Sequence, residues 1–245
     1  MIYTSGRPGD LLRAVIIQPH FLPFVGYFDL MNRADIFVYY DTVQFRRRSW
    51  HCRTWIAEQN IARWLTAPVH TADGSRMLLY EACWADDTHW RRKAARRLRH
   101  YYAHTLEPYV LDMVTDLLSS GPANLSDWNV QANNALASLL GIKTPTLRSS
   151  QLSPGTGDKQ QRLIHICRQV GATRYLCGPG SRNYVSESVF AHAQIEVEWL
   201  DYNYEDCLFT EGGESVHPSV IHSILSYGLD HTRNIIFSHT REDGR

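Results

Sequence analysis

The stretch AVIIQPHFLPFVGYFDLMNRADIFVYYD, residues 14–41, decides the fold class. Its first apolar run, residues 14–18, stops at Pro19, which is typical of a buried strand. An apolar stripe over residues 24–33 predicts a helix, and the β-branched and aromatic side chains of residues 35–40 predict a second strand. Strand, loop, helix and strand form a βαβ unit, which normally joins two parallel strands.

The rest of the chain adds further strands and a helical middle. Strands are predicted around Trp55 and Trp64 and at 76–84, 174–177 and 196–200. Helices are predicted over 88–119 with a break at Pro108, over 125–140, over 158–170 and, as the last one, over 218–227. We therefore expect an α/β fold with a Rossmann-like, mostly parallel sheet. We expect a polar extension over 1–12 and one domain over 13–245, which could carry a helical subdomain at about 88–142.

Composition and charge exclude several classes of protein. The chain has 245 residues, is 44% hydrophobic, and balances 25 Lys and Arg against 25 Asp and Glu. Such a chain is not disordered, and it has no overall charge that attracts nucleic acid or a membrane surface. Because no CxxC pair and no HExxH motif occur, we expect no metal site and no disulfide framework. No apolar run reaches membrane-spanning length, and we expect a cytoplasmic protein.

Polar residues follow both strands of the first unit. Gln18 and His20 follow the first strand, and Asp41 and Gln44 follow the second. Because ligands bind beyond the carboxyl ends of parallel strands, we expect these four side chains to line one cleft. The alternative for the first segment is a rigid loop whose prolines and aromatic residues merely pack.

Four arginines, which are Arg46, Arg47, Arg48 and Arg53, follow Gln44 within the stretch 41–53, and they are suited to a phosphate or a carboxylate. If the loop is extended, Arg46 and Arg48 share one side, and Arg47 and Arg53 share the other. Asp41 could orient an arginine or act as a base. The alternative is a solvated run of charges.

Three later features could also carry chemistry. Cys177 is a candidate nucleophile beside Gly178, although a small buried cysteine usually fills space. Lys159 is a candidate for binding phosphate or carboxylate. Six basic residues between Arg91 and Arg99 could dock an acidic partner such as an acyl carrier protein, unless they form a solvated helix face.

These motifs resemble the WbqC-like protein family over about residues 14–228. The opening matches at Gln18, Pro19, Pro23, Gly26, Tyr27 and Phe28. The stretch 35–53 matches at ten positions, which are Asp35, Phe37, Val38, Asp41, Val43, Gln44, Phe45, Arg48, Trp50 and Arg53. Later in the chain, the segment 64–69, Lys159, Tyr175 and Gly178 also match. The chain departs from the family pattern at Arg47, Cys52, Thr54 and Cys177. Because serine is usual at the last of these positions, the resemblance argues against an obligatory thiol nucleophile.

The resemblance implies a biosynthetic acyl or aminoacyl transferase, in secondary metabolism or in O-antigen-type sugar pathways. The expected donor is a thioester of a carrier protein or a coenzyme, and the expected acceptor is a small amine or alcohol. His20, Asp41 and Gln44 are the expected catalytic residues, and the first two are candidates for taking the acceptor's proton. The expected substrate-binding residues are Gln18, Tyr27, Arg47, Arg48, Trp50, Arg53, Lys159, Tyr175 and Gly178.

No resident cofactor is expected, although the donor could carry a phosphopantetheine or nucleotide moiety. Two alternatives stay open. One is a nucleotide-dependent enzyme that acts on a nucleotide sugar. The other is a non-catalytic binding protein of a biosynthetic assembly line.

Overall fold

A computed structural model describes residues 11–58, 61–70, 76–85, 88–200, 209–211 and 214–238. The chain divides into two compact units. The first consists of Met1–Gln18, Asp29–Asp41 and Lys143–Asn203, and the second of Pro19–Phe28, Thr42–Ile142 and Tyr204–Arg245. The segment 88–142 is part of the second unit. Most of the predicted extension at 1–12 lies outside the described residues. Cys207 also lies outside them.

The secondary structure follows the α/β pattern. The strands are β1 (Arg13–Ile17), β2 (Ile36–Tyr39), β3 (Arg53–Glu58), β4 (Ile61–Thr66), β5 (Thr146–Arg148), β6 (Arg174–Cys177), β7 (Glu196–Trp199), β8 (Phe209–Glu211) and β9 (Glu214–Val216). The helices are α1 (Val25–Arg33), α2 (Thr88–Tyr101), α3 (Pro108–Ser120), α4 (Leu125–Leu140), α5 (Lys159–Gln169), α6 (Glu187–His192), α7 (Val220–Tyr227) and α8 (Leu229–Ser238).

A five-stranded sheet forms the first unit, with the strand order β5-β2-β1-β6-β7. Every neighbouring pair in this sheet is parallel, and β1 pairs with β2 from Ala14↔Ile36 onward. The Rossmann-like α/β prediction is therefore confirmed. The chain moves from β1 to β2 on one side, and β6 pairs with β1 on the other. In open α/β sheets, ligands bind at such a reversal, outside the carboxyl ends of the strands, which here are β1 and β6.

Local sequence signals explain most helix boundaries. Pro108 is the first residue of α3, a position where its missing N–H is harmless. The Asn124 side chain caps α4 by accepting from the Asp127 N–H, and Gly141 ends that helix at φ 83°. Asp158 and Gln161 cap α5 reciprocally. The predicted break at Pro108 and the predicted helices over 125–140 and 158–170 are confirmed, the last to within one residue at each end.

Two predictions of secondary structure are wrong. The segment 76–84 is not a strand. It contains the 3-10 turn Leu79–Glu81, because the Glu81 carboxylate accepts the Leu78 N–H and tightens the chain. The last helix of the described chain is α8, not α7. After Gly228, at φ 92°, the Leu229 N–H is accepted by the distant Glu107 carboxylate, and a new helix begins.

None of the helices in the described ranges has the length and apolar character needed to cross a lipid bilayer. The four cysteines that the structure describes, which are Cys52, Cys83, Cys167 and Cys177, are free thiols.

Candidate functional site

The carboxyl edge of the parallel sheet brings together several predicted site residues of the first unit. Gln18 follows β1, Asp41 follows β2 by one residue, and Gly178 follows β6. Because the strands are parallel, these residues lie at one edge of the sheet. His20 and Gln44 belong to the second unit. The common cleft for all four side chains therefore stays a prediction.

Asp41 is completely buried, and its carboxylate is held by the turn that follows β5. Ser149 Oγ and the Ser150 N–H donate to Oδ1 at 2.9 Å each. Ser150 Oγ donates to Oδ2 at 2.8 Å, and Arg148 Nε donates to it at 2.7 Å. Four donors would have to move before Asp41 could take a proton. The geometry therefore favours a positioning role for Asp41 over that of a base.

Cys177 is a buried thiol at the end of β6. Burial raises its pKa to about 12, so the group stays protonated at neutral pH. Tyr175, two residues earlier, is also buried, and its ring stacks on Phe190 at 5.3 Å between centroids. Burial and the raised pKa favour the space-filling interpretation of Cys177. The ring stack places Tyr175 in the packed core of the first unit.

Lys159 lies at the start of α5, and its ammonium stacks on an aromatic ring. Lys159 Nζ is 2.9 Å from the ring centroid of Tyr184, whose hydroxyl hydrogen-bonds with Ser181 Oγ at 2.8 Å. Burial raises the pKa values of Tyr184 and Tyr40, so both phenols remain protonated donors. An ammonium, a hydroxyl and two phenols are a donor set suited to an anion.

The two-proline loop in the second unit is fixed by two asparagines of α4. Asn129 Nδ2 donates to the carbonyls of Pro19 and His51 at 2.9 Å each, and Asn133 Nδ2 donates to the His20 carbonyl at 3.1 Å. Both asparagines are completely buried. Among the described residues, no donor reaches either Oδ1 atom. The loop is thus rigid, and two buried acceptors lie beside it.

His20 is held in the neutral form. Burial, assisted by the nearby His51, lowers the pKa of His20 to about 3. Its ring packs beside the completely buried Tyr27 at 5.2 Å, and no hydrogen bond to a ring nitrogen of His20 is found within the described ranges. An imidazole with so low a pKa is a weak base but a constant hydrogen-bond acceptor. The structure therefore favours His20 as an acceptor that orients a substrate N–H or O–H.

Buried neutral histidines make the stability of the second unit depend on pH. Burial also lowers the pKa values of His51 and His222 to about 4. Since an unfolded histidine titrates near 6.5, the unfolded chain takes up protons first as the pH falls. We expect the free energy of unfolding to be constant above pH 7. It should fall by up to about 2 kcal/mol for each of the three histidines between pH 6.5 and 5.0.

Urea unfolding at pH 7.5, 6.0 and 5.0 measures this dependence. Most unfolded carboxyl groups titrate below this window, so the loss can be assigned to histidines. An unfolding free energy that stays constant from pH 7.5 to 5.0 would contradict the neutral burial of these rings.

The arginines after Gln44 lie in a tight turn. Ser49 Oγ donates to the Arg46 carbonyl at 2.7 Å, and Arg48 has φ 54°. The expectation of an extended loop with alternating sides is therefore wrong, because this side-chain bond and the left-handed residue bend the chain. Arg46, Arg47 and Arg48 are all exposed, as is Gln44, which forms an isolated bridge with Leu78.

Arg53 lies at the start of the β3–β4 hairpin and stacks on a tryptophan. Its guanidinium carbon is 3.9 Å from the ring centroid of Trp64. Trp64 also stacks on its cross-strand neighbour Trp55 at 3.6 Å, and Trp50 lies 5.7 Å from it. We call Trp50, Trp55 and Trp64 the tryptophan cluster. Because stacking orients the guanidinium, Arg53 is the best-positioned arginine of the predicted clamp.

The basic helix α2 uses half of its charges internally. Arg91 caps the end of α3 through the carbonyls of Leu117 and Gly121, and Arg97 donates to the Trp64 carbonyl. Arg99 pairs with Asp112 and Asp116. Exposed cations remain at Arg92, Lys93 and Arg96.

No three His, Cys, Asp or Glu side chains in the described ranges lie close enough together to hold a metal ion. Independence of metal stays a prediction.

Sequence reasoning missed Asn129, Asn133, Trp55, Trp64, Ser149 and Ser150. One signal for the asparagines was present, because they are four residues apart on the face of α4 that also carries Leu125, Ala132 and Leu136. Two amides within an apolar stripe need buried partners. The equal spacing of Trp55 and Trp64 from the hairpin turn likewise made them candidates for a cross-strand pair.

Comparisons with known proteins agree with the motifs. The model of the WbqC-like protein family matches residues 18–211. The uncharacterized protein Rv1507c of Mycobacterium tuberculosis (strain ATCC 25618 / H37Rv) is 33% identical over 223 residues, which cover 89% of this chain and 95% of the relative. No solved structure matches the chain. The family match covers both the two-proline loop and the carboxyl edge of the sheet, and the chain belongs to the WbqC-like protein family.

Proposed function

We propose that this protein is a biosynthetic transferase that moves an acyl or aminoacyl group from a thioester to a small amine or alcohol. The supporting observation is the neutral imidazole of His20 on a loop that Asn129 and Asn133 hold rigid. Aminolysis of a thioester needs positioning and a hydrogen-bond acceptor more than it needs a protein nucleophile. The protonated thiol of Cys177 is consistent with such a direct transfer.

In the proposed reaction, the acceptor binds as the free amine and donates a hydrogen bond to His20. Its nitrogen forms a bond to the thioester carbonyl carbon, and the C–S bond breaks. The proton that the nitrogen loses ends on the departing thiolate, so the products are an amide and a thiol. An alcohol acceptor would give an ester in the same way.

Cationic groups are proposed to bind the negative charge of the donor. Arg53 of the second unit offers a stacked guanidinium for this charge. Exposed Arg47 and Arg48 would add positive potential for the approaching donor. For a donor on an acyl carrier protein, the exposed cations Arg92, Lys93 and Arg96 are the proposed docking surface.

Incubation with a panel of donors and acceptors tests the proposed function. We expect mass spectrometry to detect an amide or ester product from at least one pair of an acyl-coenzyme A or loaded carrier protein with an amine or alcohol. The rate should be unchanged in EDTA. A matched reaction with the His104→Gln variant should behave as wild type, because His104 is exposed in the turn that follows α2. Donor and acceptor binding without turnover would instead indicate a non-catalytic binding protein.

A further inference from the structure

We infer that the donor carries a nucleotide, whose base stacks on the tryptophan cluster and whose phosphate binds Arg53. This inference rests on the proposed function and specifies its donor. A coenzyme A thioester and a nucleotide sugar both contain a nucleoside diphosphate, whereas a donor on a carrier protein contains only phosphopantetheine. The inference therefore favours a coenzyme thioester or a nucleotide sugar over a carrier-protein thioester as the donor.

Two distances determine the order in which Arg53, Trp64 and Trp55 stack on the hairpin. The Trp55 ring and the Arg53 guanidinium lie 3.6 Å and 3.9 Å from the Trp64 centroid. Two planar groups this close to one ring cannot share a face, so Trp64 is held between Arg53 and Trp55. Arg53, Trp64 and Trp55 form a continuous stack, and we infer that the base extends it on the partly exposed Trp55.

Trp50 provides a second aromatic surface beside this stack. Its side chain is 44% exposed, and its ring is tilted by 51° to Trp64. A large exposed aromatic residue next to partly exposed ones is typical of a binding surface. Nucleobases stack on such rings irrespective of base identity, because every base has a π face.

The Arg53 guanidinium keeps its hydrogen-bond donors for a ligand. Its flat face is covered by Trp64, and no side-chain hydrogen bond or ion pair of Arg53 is found in the described part of the chain. The edge of a stacked guanidinium presents N–H groups that match two oxygens of a phosphate. Arg47 and Arg48 precede it in the chain and are exposed, so the local charge also favours a polyphosphate.

A stacking surface and a phosphate-binding fork next to each other match the two parts of a nucleotide. The phosphopantetheine arm has a phosphate but no ring, and it would leave the tryptophan cluster unused. A sugar ring alone would leave Arg53 without an anion. We therefore expect nucleoside diphosphates to bind by themselves, independently of any transfer.

Binding of ADP, followed by calorimetry and by tryptophan fluorescence, tests the inference. ADP should quench the fluorescence and should bind at least tenfold more tightly than 4′-phosphopantetheine. Trp50→Ala should weaken ADP binding about five- to a hundredfold, with partial rescue in Trp50→Phe. Arg53→Ala should weaken it about ten- to a hundredfold. Arg46→Ala, which removes one positive charge from the same unit, should change it less than threefold.

Further ligands then distinguish the two sources of a nucleotide. Tighter binding of coenzyme A than of a uridine diphosphate sugar would assign a coenzyme thioester donor, and the reverse order would assign a nucleotide sugar. Equal affinity for ADP and 4′-phosphopantetheine would overturn the inference, as would unchanged ADP affinity in folded Trp50→Ala and Arg53→Ala. Transfer from a loaded carrier protein without ADP binding would refute the inference alone. ADP binding without any transfer would refute only the proposed function.

Discussion

Replacing Asp41 with alanine should lower the free energy of unfolding by about 3–5 kcal/mol. The carboxylate is completely buried and accepts hydrogen bonds from Arg148, Ser149 and Ser150. Its removal leaves the Arg148 charge without this partner and three further donors without an acceptor. Loss of the ionised partner of a part-buried guanidinium and loss of the acceptor for buried donors both destabilise the folded state. Urea unfolding of the purified variant measures the loss.

Two further variants identify the cause of this loss. Asp41→Asn keeps an acceptor oxygen but places an NH2 group against donors, so it should be intermediate between wild type and Asp41→Ala. Asp230→Ala removes an exposed carboxylate, 93% accessible in its pair with Arg233, and should change the stability by less than about 0.5 kcal/mol. A loss below about 1 kcal/mol for Asp41→Ala would show that the turn after β5 does not depend on this carboxylate.

Asp41 also shows how far the sequence predicts the site. The apolar run at residues 35–40 predicts a buried strand, because such a strand is a local sequence pattern. The position of Asp41 directly after this strand is therefore predictable. Its function does not follow, because Ser149 and Ser150 are 108 and 109 residues away in the chain. No local pattern signals such a pairing. The sequence therefore predicts a carboxylate at the site, but only the structure distinguishes a catalytic base from a residue that positions the turn after β5.

The same difference between local and distant signals explains the errors in secondary structure. Helix α5 was predictable because Asp158 and Gln161, which cap it, are three residues apart. Helix α8 was missed because its first N–H is accepted by Glu107, 122 residues earlier. The sequence predicts an extended segment at Arg46–Arg48 because a run of arginines has no turn signature of its own. There the Ser49 hydroxyl and the left-handed Arg48 together bend the chain.

The stack on Trp64 is a third case, in which the sequence predicts some of the residues but not the contacts between them. Arg53 and Trp50 were predicted as binding residues from the resemblance, without Trp55 or Trp64. The hairpin register places Trp55 opposite Trp64, and only this register brings the guanidinium over a ring. A register is set by pairing along the whole hairpin.

His20 should be the side chain whose loss reduces turnover most. We expect His20→Ala to lower kcat/KM by about 10²–10³-fold, the loss typical of removing one positioned hydrogen-bonding group from an active site. The fold should be preserved, because Asn133 binds the His20 carbonyl and not its ring. Steady-state kinetics with a saturating acceptor, together with circular dichroism, measure both properties.

Comparison with His20→Gln separates an orienting acceptor from a base. A glutamine oxygen accepts a hydrogen bond but takes no proton near neutral pH, so an orienting role predicts activity within about tenfold of wild type. A base would leave His20→Gln as slow as His20→Ala. Because burial lowers the pKa of His20 to about 3, its titration should cause no inflection in kcat/KM between pH 5 and 8. An inflection near pH 6.5 that disappears in His20→Gln would show that the ring titrates normally, and it would restore His20 as the base.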